Sequence, residues 1–378
     1  MGNDGGVSEP LDDVYLSLSE QPPSRRANVM AATGLTGSLL LAVLTVAPAQ
    51  YAIEGPGPTF DTLSTADDVR LVQIEGATTY TSTGELRLTT VSVSDASSKR
   101  FTVGAVIQGF FSPARTVLPV EAVLGSPEDQ EEEQERSELQ WITSQEAATV
   151  SALEALGDEV PATITVVEVL DESNAAGVLL VGDVLASGDG EEFVSYTDLS
   201  DYVSVREPGD TVTMTVMRDG EEQTVSFDLI DYEGQPRMGI TVDPQFDPSI
   251  DVTVAIDRVG GPSAGLMFAL AIMDQLTAED ELAGAQVAGT GVIDVDGQVY
   301  PIGGIAHKMY GARSAGAEHF LAPVENCSQV IGHIPDGLDV YAVDTLEDAY
   351  AAIVAIGEED TSDLPRCSVD NNKEEDLP

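Results

Sequence analysis

The chain has 378 residues, enough for two or three domains, and its hydrophobic content of 42% is sufficient to build a sizeable core. Sixteen basic residues stand against 66 acidic ones, so the formal net charge is −50. This balance excludes nucleic acid as a main partner, and it argues against an anionic membrane surface in that role.

The N-terminal region contains one long apolar stretch. Residues 1–26 are polar and are expected to be a disordered cytoplasmic segment. Residues 27–53 carry no charged side chain and are predicted to be a membrane anchor, because the stretch 29–47 is long enough to cross a bilayer as a helix. Ala47-Pro48-Ala49 resembles a signal-peptidase site, so a cleaved signal peptide is the alternative.

The basic residues around this stretch predict its orientation. Arg25 and Arg26 lie directly before it, and the next basic residue is Arg70. By the positive-inside rule, the N-terminus is cytoplasmic and the remainder of the chain lies outside the cell membrane. A cleaved signal peptide would also export the remainder.

Residues 54–157 are predicted to form the N-terminal part of the exported region. The segment 69–107 shows the alternation of apolar and polar residues that is typical of strands. Residues 126–138 hold seven acidic side chains and one basic one, which indicates a solvated loop. A helix is expected over about 144–156, with Gly157 as its stop.

Residues 158–245 consist of short β-runs separated by turn signals. Asp219-Gly220 between two such runs predicts a two-residue hairpin turn, and a short helix is expected over 197–203. Together with Val181-Gly182-Asp183-Val184-Leu185 and Glu207-Pro208-Gly209-Asp210, these features resemble a circularly permuted bacterial PDZ domain of the kind found in exported proteases.

The PDZ resemblance implies a peptide-binding groove. Such a domain adds a peptide as an extra strand, while backbone amides of one loop hold the terminal carboxylate. Met238, Gly239 and Ile240 correspond to that loop, and a glycine suits a loop that turns its amides toward an anion. The alternative is that these three residues only begin a strand.

A serine in residues 246–357 is a candidate nucleophile. Gly260-Gly261-Pro262-Ser263-Ala264-Gly265 precedes an apolar helix that is predicted over 266–276. Ser263 then lies near a helix N-terminus, where free amides and the helix dipole favour an oxyanion. Taken alone, a Gly-Pro-Ser helix start is more often a cap than a nucleophile.

A lysine is the candidate base for this serine. Lys308 follows the apolar, glycine-rich segment 301–307 and leads into another predicted helix. The first acidic residue after Lys308 is Glu318. Burial can lower the pKa of a lysine amine until it accepts a proton near neutral pH. Without further context, a surface lysine is the alternative.

Together these two segments resemble the proteolytic domain of the Lon family of serine peptidases. The match includes Ala288-Gly289-Thr290-Gly291 and Gly297-Gln298-Val299, and it ends at Ala315-Gly316-Ala317. The resemblance implies that Ser263 is the nucleophile, that Lys308 is its general base and that Thr290 supports the lysine amine by hydrogen bonding. Many Lon enzymes carry an acidic residue three positions before the serine, where this chain has Gly260, and this leaves open how the site is gated.

The expected fold is α+β. Residues 54–157 resemble, more loosely, the N-terminal part of a Lon proteolytic domain, so the PDZ module of residues 158–245 is predicted to be inserted in the peptidase fold. Residues 246–357 complete that domain, and residues 358–378 form an acidic tail. The whole arrangement resembles the exported, membrane-anchored PDZ–Lon peptidases of Gram-positive bacteria, including actinobacteria.

The predicted function is an ATP-independent serine endopeptidase that acts outside the cytoplasmic membrane on unfolded or flexible proteins, which it recognises through their C-termini. No phosphate-loop motif is present and no His, Cys or carboxylate cluster has metal-ligand spacing, so neither a cofactor nor a metal is expected. Lon-type cores commonly form rings, which leaves a homo-oligomer open. The alternatives are a catalytically silent PDZ scaffold and a signalling peptidase that cleaves one membrane-linked partner.

The two cysteines, Cys327 and Cys367, would then lie in an oxidising compartment. Their even number predicts one disulfide that ties the C-terminal tail to the catalytic part. Two unpaired thiols are the alternative.

Overall fold

The computed structural model describes residues 24–46, 49, 51–66, 69–94, 102–120, 127–256 and 260–368. The helices in these residues are α1 (Arg25–Val46), α2 (Val103–Phe110), α3 (Pro127–Ala155), α4 (Tyr196–Ser204), α5 (Gly265–Leu276), α6 (Ile305–Ser314), α7 (Cys327–Val330) and α8 (Leu346–Gly357). The strands before the PDZ segment are β1 (Tyr51–Asp61), β2 (Thr65–Ala66), β3 (Val69–Arg70), β4 (Val72–Glu75), β5 (Glu85–Ser94) and β6 (Thr116–Pro119).

The remaining strands belong to the PDZ segment and to the C-terminal part. Those of the PDZ segment are β7 (Ala162–Val169), β8 (Val184–Gly188), β9 (Glu191–Glu192), β10 (Thr211–Arg218), β11 (Glu221–Asp228), β12 (Ile230–Tyr232), β13 (Gln235–Arg237) and β14 (Ile240–Phe246). Those that follow are β15 (Asp251–Val254), β16 (Gln286–Gly289), β17 (Val292–Ile293), β18 (Val299–Tyr300), β19 (His319–Pro323) and β20 (Asp339–Val343).

One mixed sheet of six strands, in the order β20-β19-β16-β5-β1-β6, forms the base of the catalytic part. Strand β16 runs parallel to both β5 and β19, whereas β1 is antiparallel to β5 and β6. Three of these strands precede the PDZ segment and three follow it, and β15 pairs back onto β4. The chain therefore completes one α+β domain with residues from both sides of the PDZ module, which is inserted in it.

Helix α5 is the central helix of this domain. Residues from Leu266 to Ile272 are almost wholly buried, between the sheet, α3 and α8. On the α3 side, the ring of Trp141 meets the ring of Phe268 edge-on at a centroid distance of 5.3 Å. Because α5 is apolar on every side, it is stable only inside the domain.

The PDZ module has its own sheet, in the order β11-β10-β8-β7-β14, with β9 on β8. The predicted hairpin turn joins β10 to β11, and both of its residues have positive φ, 54° at Asp219 and 82° at Gly220. Strand β14 pairs with β7 and, among the residues that the structure describes, lies at the edge of this sheet.

The apolar N-terminal stretch forms α1, in which Arg25–Thr45 is long and apolar enough to cross a membrane, with a mean hydropathy of 1.7. The predicted anchor boundary at residue 53 is wrong. The helix ends at Val46, and β1 begins at Tyr51. Ala52 and Ile53 are apolar because they are buried in the sheet domain.

Two other local predictions are also wrong. Residues 126–138 were expected to be a loop, but α3 starts at Pro127 and continues to Ala155. Glutamate and glutamine are good helix formers, and acidic residues in the first turns favour the positive end of the helix dipole. The strand prediction over 69–107 is confirmed for β3, β4 and β5, and its residues 95–101 lie outside the described residues. It fails from Val103 onward, where the Thr102 side chain accepts the amide N–H of Ala105 at 3.3 Å and caps helix α2.

Candidate active site

Ser263 lies in the turn that leads into α5. The N-cap of this helix is Ala264, and no side chain caps it. The capping role that a Gly-Pro-Ser sequence suggests is therefore wrong for Ser263. Its hydroxyl instead lies 2.7 Å from the amine of Lys308.

Helix α3 supports this turn through two hydrogen bonds. The Ser144 hydroxyl donates to the carbonyl of Pro262 at 3.1 Å, and the amide of Gly261 donates to the carbonyl of Ser137 at 3.2 Å. Gly261 has φ of 81°, a conformation that a glycine adopts without strain. The turn is thus held in place by a helix more than a hundred residues earlier in the chain.

Lys308 lies in the first turn of α6, where Gly304 is the N-cap with φ of 71°. The side chain is 3% exposed, and its amine contacts Ser263 Oγ at 2.7 Å and Thr290 Oγ1 at 2.8 Å. Burial lowers the pKa of this amine to about 7. A large fraction of Lys308 is consequently neutral near pH 7 and can accept a proton.

Thr290 fixes the direction of the lysine amine. It is fully buried directly after β16, and its hydroxyl donates to the carbonyl of Ser263 at 2.9 Å. A hydroxyl has a single proton, so Thr290 Oγ1 accepts from Lys308 Nζ. A neutral amine that donates to Thr290 can direct its lone pair at the Ser263 hydroxyl.

A cleft of about 690 Å³ opens beside the serine. Ser263, Ala264 and Lys308 line this cleft together with residues 89–93 of β5. Strand β5 pairs with β16 only over its first four residues, from Glu85 to Leu88. From Thr90 to Val93, its edge on that side pairs with no other strand in the part of the chain that the structure describes.

Backbone donors are also present at the serine. No hydrogen bond is recorded for the amide N–H groups of Ser263 and Ala264 within the described residues. Both residues line the cleft, at the end of α5 where the helix dipole is positive. These two amides are available to an oxygen that gains negative charge.

The sequence did not point to the wall of the cleft or to the support from α3. The alternation over residues 85–93 predicted a strand, but not its free edge. That edge depends on β16, and the side-chain hydrogen bond from Thr89 to the carbonyl of Gly289 joins residues 200 positions apart. Ser137 and Ser144 carry no local signal that could have marked them.

In the PDZ module, Gly239 has φ of 69° and lies directly before the edge strand β14, which Ile240 begins. The carbonyls of Met238 and Gly239 face inward, since they accept from the Ser173 hydroxyl at 2.6 Å and from the Leu170 amide at 3.0 Å. Within the described residues, no hydrogen bond is recorded for the Gly239 amide. This geometry leaves the amide side of the loop available to a ligand.

Two further features complete the chemistry of this region. Cys327 and Cys367 are joined by a disulfide that ties the end of the described chain to α7. Among the described residues, no group of three or more His, Cys, Asp or Glu side chains could hold a metal ion.

Comparison with protein families identifies two domains in this chain. The family model of the Lon protease (S16) C-terminal proteolytic domain matches residues 244–355, and the PDZ domain model matches residues 133–229. The chain therefore carries a Lon-type S16 proteolytic domain, the domain of a serine peptidase, together with a PDZ domain.

Individual relatives agree with this assignment. The chain is 36% identical over 108 residues to Lon protease 1 of Sorangium cellulosum, covering 28% of this chain and 13% of that protein. It is 34% identical over 115 residues to the Lon protease of Escherichia coli, covering 28% of this chain and 14% of that protein. It thus spans about one seventh of the length of these curated relatives.

Among solved structures, the PDZ domain of the SdrC-like protein from Listeria monocytogenes is 32% identical to this chain. The match covers 21% of this chain and 86% of that one, with a TM-score of 0.20.

Proposed function

We propose that this chain is an ATP-independent endopeptidase with a Ser263–Lys308 dyad, which is anchored by α1 and acts outside the cytoplasmic membrane. The observation that carries the proposal is the buried amine of Lys308, which lies 2.7 Å from Ser263 Oγ and 2.8 Å from Thr290 Oγ1. A lysine on the protein surface would have neither the hydroxyl partners nor a pKa near 7.

The neutral amine of Lys308 takes the proton of the Ser263 hydroxyl as Ser263 Oγ attacks the carbonyl carbon of the scissile bond. The amides of Ser263 and Ala264 donate to the oxyanion of the tetrahedral intermediate. The intermediate collapses when the lysine ammonium protonates the leaving amine, and an acyl-enzyme remains on Ser263. A water then gives a proton to Lys308 and attacks the ester carbonyl. The lysine ammonium returns the proton to Ser263 Oγ as the new carboxyl terminus leaves, and this restores the free enzyme.

The free edge of β5 supports an extended substrate. An unpaired edge from Thr90 to Val93 can form main-chain hydrogen bonds with a peptide segment, as in β-strand addition. Such pairing requires a chain without its own secondary structure. The substrates proposed here are therefore unfolded proteins and flexible tails.

The PDZ module supplies the second part of the proposal. The edge strand β14 and the free amide side at Gly239 support capture of a substrate C-terminus. Only residues 247–250 separate β14 from β15 of the catalytic domain. A C-terminus held at β14 is thereby kept at a high effective concentration near the cleft, and this replaces part of the work that an ATPase would do.

The decisive experiment compares Ser263→Ala, Lys308→Ala and Ser314→Ala in the purified full-length chain. Ser314 lies on the same helix, α6, and its hydroxyl donates to the carbonyl of Tyr310, so it is the matched control. We expect no cleavage of a fluorescent unfolded protein by the first two variants and parental cleavage by the third. Substantial turnover by purified Ser263→Ala would refute the dyad.

The same assay tests the base through its pH dependence. Because only the neutral amine accepts a proton, kcat/KM should rise about tenfold per pH unit below pH 7 and level off above it. A profile that is flat from pH 5 to 9 would exclude Lys308 as the base.

A further inference from the structure

Helix α2 is fixed to the catalytic domain by one face only. Val106 is buried, and a methyl group added to Gly109 would lie 2.8 Å from Val117 Cγ2 and 3.7 Å from Ile53 Cδ1. Gly109 thus allows the helix to lie directly on β1 and β6. This contact sets the position of α2 relative to the sheet.

The same helix also contacts the end of α1. A methyl group added to Gly104 would lie 3.1 Å from the carbonyl oxygen of Leu44, two residues before α1 ends at Val46. Among the described residues, α1 is the one helix long and apolar enough to span a membrane. If α1 spans the bilayer, α2 lies at the level where it emerges.

Large apolar side chains at the C-terminal end of α2 and at its C-cap, Phe111, are exposed. Ile107 is 43% exposed, Phe110 66% and Phe111 85%. Their spacing of three and four residues places them on one stripe of the helix surface. A short apolar stripe with two aromatic rings matches a helix that lies in the interface of a bilayer.

The charge around α2 differs from that of the rest of the chain. Residues 96–120 contain no Asp or Glu and three basic residues, in a chain with 66 acidic and 16 basic residues. One of the three, Arg115, is exposed in the segment that follows α2. The net charge of −50 opposes binding of the whole chain to an anionic surface. Residues 96–120 are a local exception, because their positive charge is attracted to lipid phosphates.

We propose that the stripe of Ile107, Phe110 and Phe111 inserts into the outer surface of the bilayer beside α1, with Arg115 at the level of the lipid phosphates. This inference rests on the membrane anchoring by α1 proposed above. It adds a second membrane contact, and two contacts define the orientation of the catalytic domain relative to the bilayer.

This contact connects directly to the helix of the dyad. The imidazole of His307 contacts the carbonyl of Ala114 at 3.1 Å and the hydroxyl of Thr116 at 3.2 Å, both in the segment that follows α2. His307 precedes Lys308 on α6. The inserted stripe would thus hold the cleft near the membrane surface, and polypeptide segments close to the membrane would be the substrates best placed to enter.

The test uses tryptophan emission in the full-length chain, whose one native tryptophan is Trp141 in α3. Phe111→Trp is reconstituted in mixed phosphatidylcholine–phosphatidylglycerol vesicles, with or without bromine on the acyl chains. Tyr232→Trp is the control, since Tyr232 is 60% exposed on the PDZ hairpin β12–β13. We expect brominated lipid to remove the added emission of Phe111→Trp and to leave that of Tyr232→Trp unchanged.

Equal emission of Phe111→Trp in both kinds of vesicle would overturn the proposal, and emission that is blue-shifted but unquenched would show that protein covers the stripe instead. A second measurement keeps the native side chains: lipids with a photoactivatable acyl chain should label residues 103–111 of the parent chain, and labelling confined to α1 would overturn the proposal.

Flotation of the chain with vesicles tests the α1 anchor separately from the α2 contact. A chain that floats without quenching at residue 111 contradicts only the α2 contact, whereas a chain that does not float contradicts the α1 anchor as well.

Discussion

Replacing Lys308 by methionine should abolish cleavage and at the same time stabilise the protein. In the unfolded chain the pKa of a lysine amine is 10.5, whereas burial lowers the pKa of Lys308 to about 7 in the folded protein. At pH 7 this difference makes the free energy of unfolding about 4 kcal/mol smaller than it would be with a side chain that does not ionise. Methionine has a similar length and avoids this cost.

Part of the gain is lost with the hydrogen bonds. The amine contacts Ser263 Oγ and Thr290 Oγ1, and each neutral hydrogen bond contributes about 1 kcal/mol. The net stabilisation expected for Lys308→Met at pH 7 is therefore about 2 kcal/mol. A gain in stability at the expense of activity is common where a catalytic site requires an unfavourable buried group.

The pH dependence has a defined sign. The folded pKa is below the unfolded pKa, so between about 7 and 10.5 the unfolded chain binds more protons and the stability of the parent protein rises with pH. The advantage of Lys308→Met should thus be largest at pH 7 and below, and should fall by about 3 kcal/mol on going to pH 10.

The assay is chemical denaturation of the full-length proteins in detergent micelles between pH 7 and 10. Arg313→Met is the matched control, because it removes a basic side chain from the same helix at a position that is partly exposed. Its difference from the parent should be independent of pH. A Lys308→Met protein that is less stable than the parent at pH 7, or whose difference does not change with pH, would refute the buried neutral amine.

Three further results are expected. Gly239→Val should abolish the binding of C-terminal peptides, measured by fluorescence anisotropy, because the added Cβ would lie 2.6 Å from Ser173 Cβ. The control is Gly234→Val, which should retain binding, because Gly234 also has a positive φ but no neighbour within 4 Å of an added Cβ. Loss of the disulfide in the double variant Cys327→Ala/Cys367→Ala should lower the free energy of unfolding by about 4 kcal/mol, since the bridge closes a 40-residue loop. If mass spectrometry finds two alkylatable thiols in the native protein, no bridge forms. Burial, with Glu281 nearby, raises the pKa of Asp274 to about 7. The free energy of unfolding of the parent, measured by chemical denaturation, should therefore fall by up to about 4 kcal/mol as the pH rises from about 4 to 7. Asp274→Asn should not show this fall.

The sequence predicted the parts of the fold that depend on local order along the chain. The hairpin at Asp219-Gly220, the apolar helix α5 and the insertion of the PDZ module required only turn chemistry, periodicity and the order of two resembling segments. The acidic start of α3 was mistaken for a loop because a count of charges ignores the helix propensity of glutamate. Helix α2 was mistaken for strand because its eight residues are rich in apolar side chains, and only the cap at Thr102 and the packing of Gly109 decide its conformation.

The residues of the candidate site could be predicted from the sequence, but their contact with one another could not. Ser263 and Lys308 were each ambiguous in isolation, and only their shared resemblance to one family singled them out. Their contact requires the turn before α5, the segment after β16 and the first turn of α6 to meet at one end of the sheet. The pKa of Lys308 depends on that assembly, because its cause is burial by residues distant in the chain.

Position 260, where this chain has a glycine instead of an acidic residue, lies against α3. A Cβ atom added to Gly260 would collide with the Ser137 hydroxyl of α3, and the adjacent Gly261 amide donates to the carbonyl of the same serine. A side chain at position 260 would therefore require the Ser137 hydroxyl to rotate away. That rotation leaves both hydrogen bonds from α3 to this turn in place, since the Ser137 carbonyl and the Ser144 hydroxyl make them. We therefore expect the position of α3 to influence the activity of the site, because its two hydrogen bonds hold the turn of Ser263, the proposed nucleophile.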